Sequence, residues 1–88
     1  KIMNRFFEEF RDNAKKITYG ETETRKALEM NAVNILLLSE ALPEEKMVEL
    51  SDLAAIGGSE VKLISVETRE GQQLKELGGV AAILRFEI

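Results

Sequence analysis

Eighty-eight residues make one domain with a single modest core, and 44% hydrophobic against 32% charged residues is the balance of an ordinary globular chain, neither disordered nor membrane-like. Cysteine and histidine are both absent, which excludes disulfides, zinc–thiolate sites, cysteine nucleophiles and an imidazole base together. The net charge of −4 excludes a broad electrostatic grip on nucleic acid, which needs clustered Lys and Arg.

In chain order, Ile2, Met3, Phe6, Phe7, Phe10 and Ala14 recur at spacings of three and four, which predicts a helix from Ile2 to Lys16 with Arg5, Glu8, Glu9 and Asp12 facing water. The stretch to Lys16 holds five basic residues (Lys1, Arg5, Arg11, Lys15, Lys16) against three acids, so the rest of the chain carries the whole negative excess. A solvated helix face accounts for that asymmetry. Ile17-Thr18-Tyr19 is a brief β-prone piece that Gly20 breaks. Glu21 to Met30 places acids first and bases later, as a helix macrodipole favours, and Asn31 fits a left-handed C-cap.

Val33 to Leu38 is a nearly unbroken apolar run, the pattern of a strand buried on both faces. Pro43 fits the first turn of the next helix, whose core face is Met47, Leu50, Leu53, Ala54 and Ile56, and Gly57-Gly58 ends it. Val61 to Val66 is a further strand, Thr68 an N-cap, Gln72 to Leu77 the last helix, and Val80 to Phe86 the closing strand. The alternation predicts a three-layer α/β/α sandwich around a four-stranded mixed sheet, one domain over residues 1–88. Opening on Lys1 without Met, the chain reads as a segment of a longer protein. No strictly apolar run approaches a membrane span, and no targeting peptide is legible.

Chemistry-bearing motifs are scarce. Gly57-Gly58-Ser59 follows a helix and lacks the lysine of a phosphate loop, so a helix stop explains it. Gly71-Gln72-Gln73 is preceded by Glu70 and reads as helix initiation. Ser39-Glu40 and Ser65 with Glu67 stand at strand ends, where α/β proteins often place functional groups, but no base is spaced to activate either serine. Glu40, Glu44 and Glu45 are ordinary N-terminal helix dressing. There is no D-x-D-x-D-G loop for calcium. Gly78-Gly79 is either a helix stop or a place where a partner approaches bare backbone, and Arg85 either a surface charge or an anchor for a partner's carboxylate.

Tyr19-Gly20, Arg25-Lys26-Ala27-Leu28-Glu29-Met30, Ala32-Val33 and Leu36-Leu37-Leu38-Ser39-Glu40, with the tail Glu70-Gly71, Leu74 and Gly78-Gly79-Val80-Ala81-Ala82-Ile83-Leu84-Arg85-Phe86, resemble the C-terminal domain of the archaeal and eukaryotic class I translation release factor. The match runs from about Phe6 to the end and is closest to the archaeal branch. The resemblance implies a cytoplasmic, non-enzymatic domain of translation termination without cofactor or metal. In that family, codon reading and peptidyl-tRNA hydrolysis belong to other domains. It implies docking to an elongation-factor-type GTPase and afterwards to the recycling ATPase, with the ribosome engaged through the full-length protein. The docking face expected here is Gly78, Gly79 and Arg85 with Gln73 and Glu76 of the preceding helix; Ile83 and Leu84 belong to the core.

The fold so implied is similar to that of kink-turn-binding ribosomal proteins. Their G-x-N-E signature stands here as Gly20-Glu21-Thr22-Glu23, in which Thr22 lacks the amide and Glu21 adds repulsion near phosphate. Direct nucleic-acid binding is therefore not expected. Many archaeal members carry a small insertion, often zinc-binding, after the second main strand; only Leu42-Pro43 stands there in this chain, which is either a member without the insertion or a chain from which it is omitted. Pelota-type ribosome-rescue factors share the domain and the tail, while Glu67-Thr68-Arg69-Glu70-Gly71 leans toward the release-factor branch.

Overall fold

The computed structural model describes residues 2–87; Lys1, counted above among the basic residues, lies outside them. The elements are α1 (Ile2–Asp12), a 3-10 turn (Ala14–Lys16), β1 (Ile17–Tyr19), α2 (Glu21–Glu29), β2 (Val33–Ser39), α3 (Glu44–Ile56), β3 (Glu60–Ile64), α4 (Arg69–Glu76) and β4 (Val80–Leu84). The sheet order is β1-β4-β2-β3, antiparallel except for the parallel β2–β3 pair.

Alternation along the central strands builds two cores. Val80, Ala82 and Leu84 of β4, with Val33, Leu36 and Leu38 of β2, meet Ala27, Leu28, Leu50 and Ala54 of α2 and α3. Ala81, Ile83, Ile35 and Leu37 point the other way, against Met3, Phe6 and Leu74 of α1 and α4. The result is the three-layer sandwich expected from the pattern. Val33 and Ile35, two residues apart, nonetheless lie on opposite faces. A bulge between them leaves Asn34 exposed and shifts the register against β4.

Three helices end in the same way. Asn31 (φ 56°), Gly58 (φ 72°) and Gly78 (φ 107°) take the left-handed conformation. Their N–H groups donate to Leu28, Ala55 and Lys75 carbonyls, and those of Ala32, Ser59 and Gly79 reach back to Ala27, Ala54 and Leu74 at 2.8–2.9 Å. These are Schellman motifs, and they satisfy carbonyls that the helices leave orphaned.

Several boundaries depart from the sequence reading. Helix α1 stops at Asp12 because Asn13 leaves the helical region (φ −154°, ψ 64°), and Ala14 faces solvent. Pro43 sits just before α3 as its N-cap (ψ 144°), not in its first turn. Ile56 is 83% exposed rather than core. Strand β3 runs Glu60–Ile64, an edge strand burying only Ile64, because Ser65 and Val66 already turn toward α4. Helix α4 begins at Arg69, three residues earlier than the apolar spacing indicates, with Thr68 Oγ1 accepting from the Gly71 N–H at 2.9 Å.

Candidate docking face

Helix α1 carries more aromatic surface than the core can take. Phe6 is fully buried, while Phe7 and Phe10 are half-buried on the flank of the helix. Phe6 holds both edge-on, with centroids at 5.2 and 6.0 Å, and Phe10 stacks on Tyr19 of β1 at 5.3 Å. Between α1 and α4, Phe7, Phe10 and Leu77 floor an open depression of about 260 Å³ whose polar rim is Gln73 and Glu76. Those two residues stand three apart on α4 and share its exposed face.

Of the five residues expected to form the docking face, Gln73 and Glu76 therefore rim this depression, and Gly78 is exposed at the turn that follows. Gly79 is buried: a methyl placed there would lie 2.9 Å from Leu42 Cδ2, so it packs under the loop before α3. Arg85 lies at the other end of β4, about 20 Å along the strand. Its Nε donates to the Val33 carbonyl at 2.8 Å and its Nη2 to the Gly57 carbonyl at 2.6 Å, while its own N–H donates to Ala32 at 2.7 Å. The guanidinium clips the end of β4 to the start of β2 and to the negative end of α3. It stands at the opposite end of β4 from the turn that follows Gln73 and Glu76.

The sequence places Phe7 and Phe10 on the apolar stripe of α1, and they do pack against the core from one side while lining this depression with Leu77. Phe6 and Phe7 are adjacent, so Ile2, Met3, Phe6, Phe7 and Phe10 spread over an arc of about 140°, with Phe7 at its edge.

Ser39, Ser65 and Glu40 are spent on turns. Ser39 is buried and its Oγ accepts from the Ala41 N–H; Ser65 Oγ accepts from Glu67 N–H; the Glu40 carboxylate accepts from Val66 N–H. Among the described residues, no cluster of His, Cys, Asp and Glu could hold a metal ion, and no helix is long and apolar enough to cross a membrane.

On the opposite layer, Arg25 grips Glu49 through two bonds of 3.1 Å and Glu21 through one of 2.8 Å, and Lys46 Nζ donates to the same Glu21 oxygen at 2.8 Å. This ties α2 to α3 and engages Glu21, the residue at the kink-turn signature position. Hydrogen bonds from Lys46 and then Arg25 hold the Glu21 carboxyl below the usual range, and Arg25 does the same for Glu49. Lys46 is correspondingly raised by Glu21. Carboxyls that titrate lower when folded contribute stability above their ordinary 4.5, lost as pH falls through the depressed values. Lys46 acts at the other limb: its contribution is whole below 10.5 and lost as pH rises through the raised folded value. A Glu21→Gln/Glu49→Gln variant should therefore show a lower urea midpoint than the parent at pH 7, a gap that closes on acidification below 4.5 and shrinks in salt. A gap unchanged down to pH 3 would remove the network from the acid limb.

Comparison with known proteins places these features in a family. The family model for eRF1 domain 3 matches residues 1–88. The chain is 42% identical over 87 residues to the Pelota homolog of Methanobrevibacter smithii, covering 98% of this chain and 25% of that protein. It is 33% identical over 135 residues to peptide chain release factor subunit 1 of Thermococcus sibiricus, covering 100% of this chain and 32% of that protein. The chain thus spans a quarter to a third of these relatives. In structure it is similar to Dom34 of S. cerevisiae, a termination-like factor of RNA quality control that interacts with Hbs1, with TM-score 0.88, 28% identity and coverage of 99% and 26%. It is also similar to a chain of the ribosome-bound archaeal Pelota and ABCE1 assembly, with TM-score 0.82, 34% identity and coverage of 99% and 26%. From its aromatic α1 to its Gly-Gly-to-Arg85 tail, the chain belongs to the eRF1 domain 3 family, the domain shared by translation release factors and Pelota-type rescue factors.

Proposed function

We propose that this chain is a non-catalytic docking domain of a translation termination or rescue protein. It holds an elongation-factor-type GTPase against the rest of its parent and engages the recycling ATPase once the GTPase has left. The observation that carries the reading is the depression of Phe7, Phe10 and Leu77 rimmed by Gln73 and Glu76. An apolar floor with a polar rim is the anatomy of a protein interface. Its aromatic floor supplies the kind of side chain that dominates interface energies. Dom34's interaction with Hbs1 and the Pelota–ABCE1 assembly on the ribosome support the choice of partners.

The test is calorimetric titration of this chain with the elongation-type GTPase encoded in the same genome. Phe7→Ala is expected to weaken binding about 30-fold, or about 2 kcal/mol, and Glu76→Arg about tenfold. Both variants should keep the parent's far-ultraviolet circular dichroism. Parent-like affinity in both, with the fold intact, would sink the docking face.

For the branch of the family, one observation favours rescue over termination. The Pelota alignment runs over 87 residues, nearly one for one, whereas the release-factor alignment must run over 135 to take in the same 88. The insertion that many archaeal release factors carry after β2 has no counterpart in the short loop of residues 40–43. A glycine-glycine-glutamine loop upstream in the parent gene would instead place the protein in termination. Kink-turn RNA is expected to bind weakly, with little dependence on salt. Tight binding that falls steeply with salt would reinstate the RNA-binding reading.

A further inference from the structure

Phe10 is a wall shared by two hollows. Beyond it, on the side away from Leu77, lies a second depression of about 430 Å³ lined by Phe10, Ala14, Ile17, Thr18, Tyr19 and Glu23. Its walls differ in character. The Phe10 and Tyr19 rings lie within 18° of parallel, and Tyr19 remains 45% exposed, so one wall is a supported aromatic plate. The polar wall is the Glu23 carboxylate, from the first turn of α2. Its ion pair with Lys26 is long, at 3.7 Å, and both side chains are about two-thirds exposed. A pair of that kind is worth little and yields readily to a better donor.

An aromatic plate beside a weakly engaged carboxylate suits a cation with a flat body. A guanidinium stacks on the ring through its plane and donates to the carboxylate through its edge, whereas an ammonium has no plane to offer. The adjoining hollow shares Glu23 with this one but adds Lys15 and Lys26, which oppose a cation approaching from that side. With Glu76 at the far rim of the first depression, the aromatic strip of Phe7, Phe10 and Tyr19 carries a carboxylate at each end. Its complement is a surface with an apolar centre and a basic flank.

We infer that the second depression receives an arginine of the docked GTPase, next to the aliphatic side chain that fills the first. The inference rests on the docking reading and names the chemistry of its partner. The GTPase face therefore presents an aliphatic residue and an arginine side by side, divided by the edge of Phe10.

The experiment titrates the GTPase into this chain and its Glu23→Gln, Tyr19→Leu and doubly substituted variants at two salt concentrations, with Phe7→Ala alongside. Each single variant is expected to bind about five- to twentyfold more weakly. The double should lose little more than the worse single, because both groups act on one guanidinium. Glu23→Gln should also flatten the salt dependence. Glu23 is exposed, so its variant keeps the fold even if Tyr19→Leu loosens β1. If Glu23→Gln and Tyr19→Leu both stay within twofold of the parent while Phe7→Ala loses binding, the arginine site is overturned and the docking face stands. Parent-like binding by Phe7→Ala as well overturns both.

Discussion

Arg85→Glu should unfold this domain more easily by about 3 kcal/mol, while GTPase affinity per folded molecule stays unchanged. The guanidinium donates to the carbonyls of Val33 and Gly57, and charge-assisted bonds of this type contribute about 1.5–3 kcal/mol each. A carboxylate in the same place meets those carbonyls and the negative end of α3 with the wrong sign. Ser59 Oγ also donates to Val33 at 2.7 Å, so that carbonyl is not left bare and the loss stays below the sum of two bonds. Arg85→Met, which keeps the aliphatic stem and removes the donors, should cost about 2 kcal/mol. Urea unfolding measures the stabilities, and titration at a denaturant-free temperature well below the transition measures the affinity. A fully stable Glu variant that has lost the GTPase would return Arg85 to the docking face.

Gly71→Ala should destabilise by about 3 kcal/mol, lowering the melting temperature by more than about 10 °C in a domain of this size. Alanine ordinarily stabilises a helix relative to glycine by about 1 kcal/mol, so the sign itself is diagnostic. A methyl at Gly71 would sit 1.7 Å from the Ser65 carbonyl oxygen and 2.8 Å from its carbon. Backbone cannot yield as a side-chain tip does. The first turn of α4 would have to lift from the end of β3, breaking the Thr68 cap on the Gly71 N–H. Thermal unfolding of the two chains decides it: a melting temperature equal to or above the parent's would show that the turn relaxes freely. As α4 carries the rim of the Phe7–Phe10–Leu77 depression, the proposed docking face, the variant should also bind the GTPase less well at temperatures where it remains folded.

These two residues show how legibility divides. Gly71 was visible in the sequence as a residue opening a helix, but the oxygen that forbids a side chain there belongs to a turn whose path the sequence does not specify. Arg85 was visible as a conspicuous charge in a recognisable tail. Its acceptors lie 52 and 28 residues away in the chain, and no local pattern links them.

What the sequence determined by itself is what neighbours along the chain decide. Apolar spacing fixes the order of the elements, nearly continuous hydrophobicity marks β2 and β4 as central strands, and the left-handed tolerance of Asn31, Gly58 and Gly78 sets three helix ends. The run of residues in the tail was enough to identify the family. Only the tertiary structure decided which surfaces remain once those elements pack. It made β3 an edge strand with Leu63 60% exposed, drew Glu21 into a tie between α2 and α3, and buried Gly79 under Leu42. It also left Phe7 and Phe10, which pack against the core from one side, half-exposed in an open depression beside Leu77. The physical reason is common to all of these. Periodicity reports that a side chain is apolar, but exposure depends on how much partner surface the packed layers supply, and the outer flank of α1 receives less than its aromatic residues could fill.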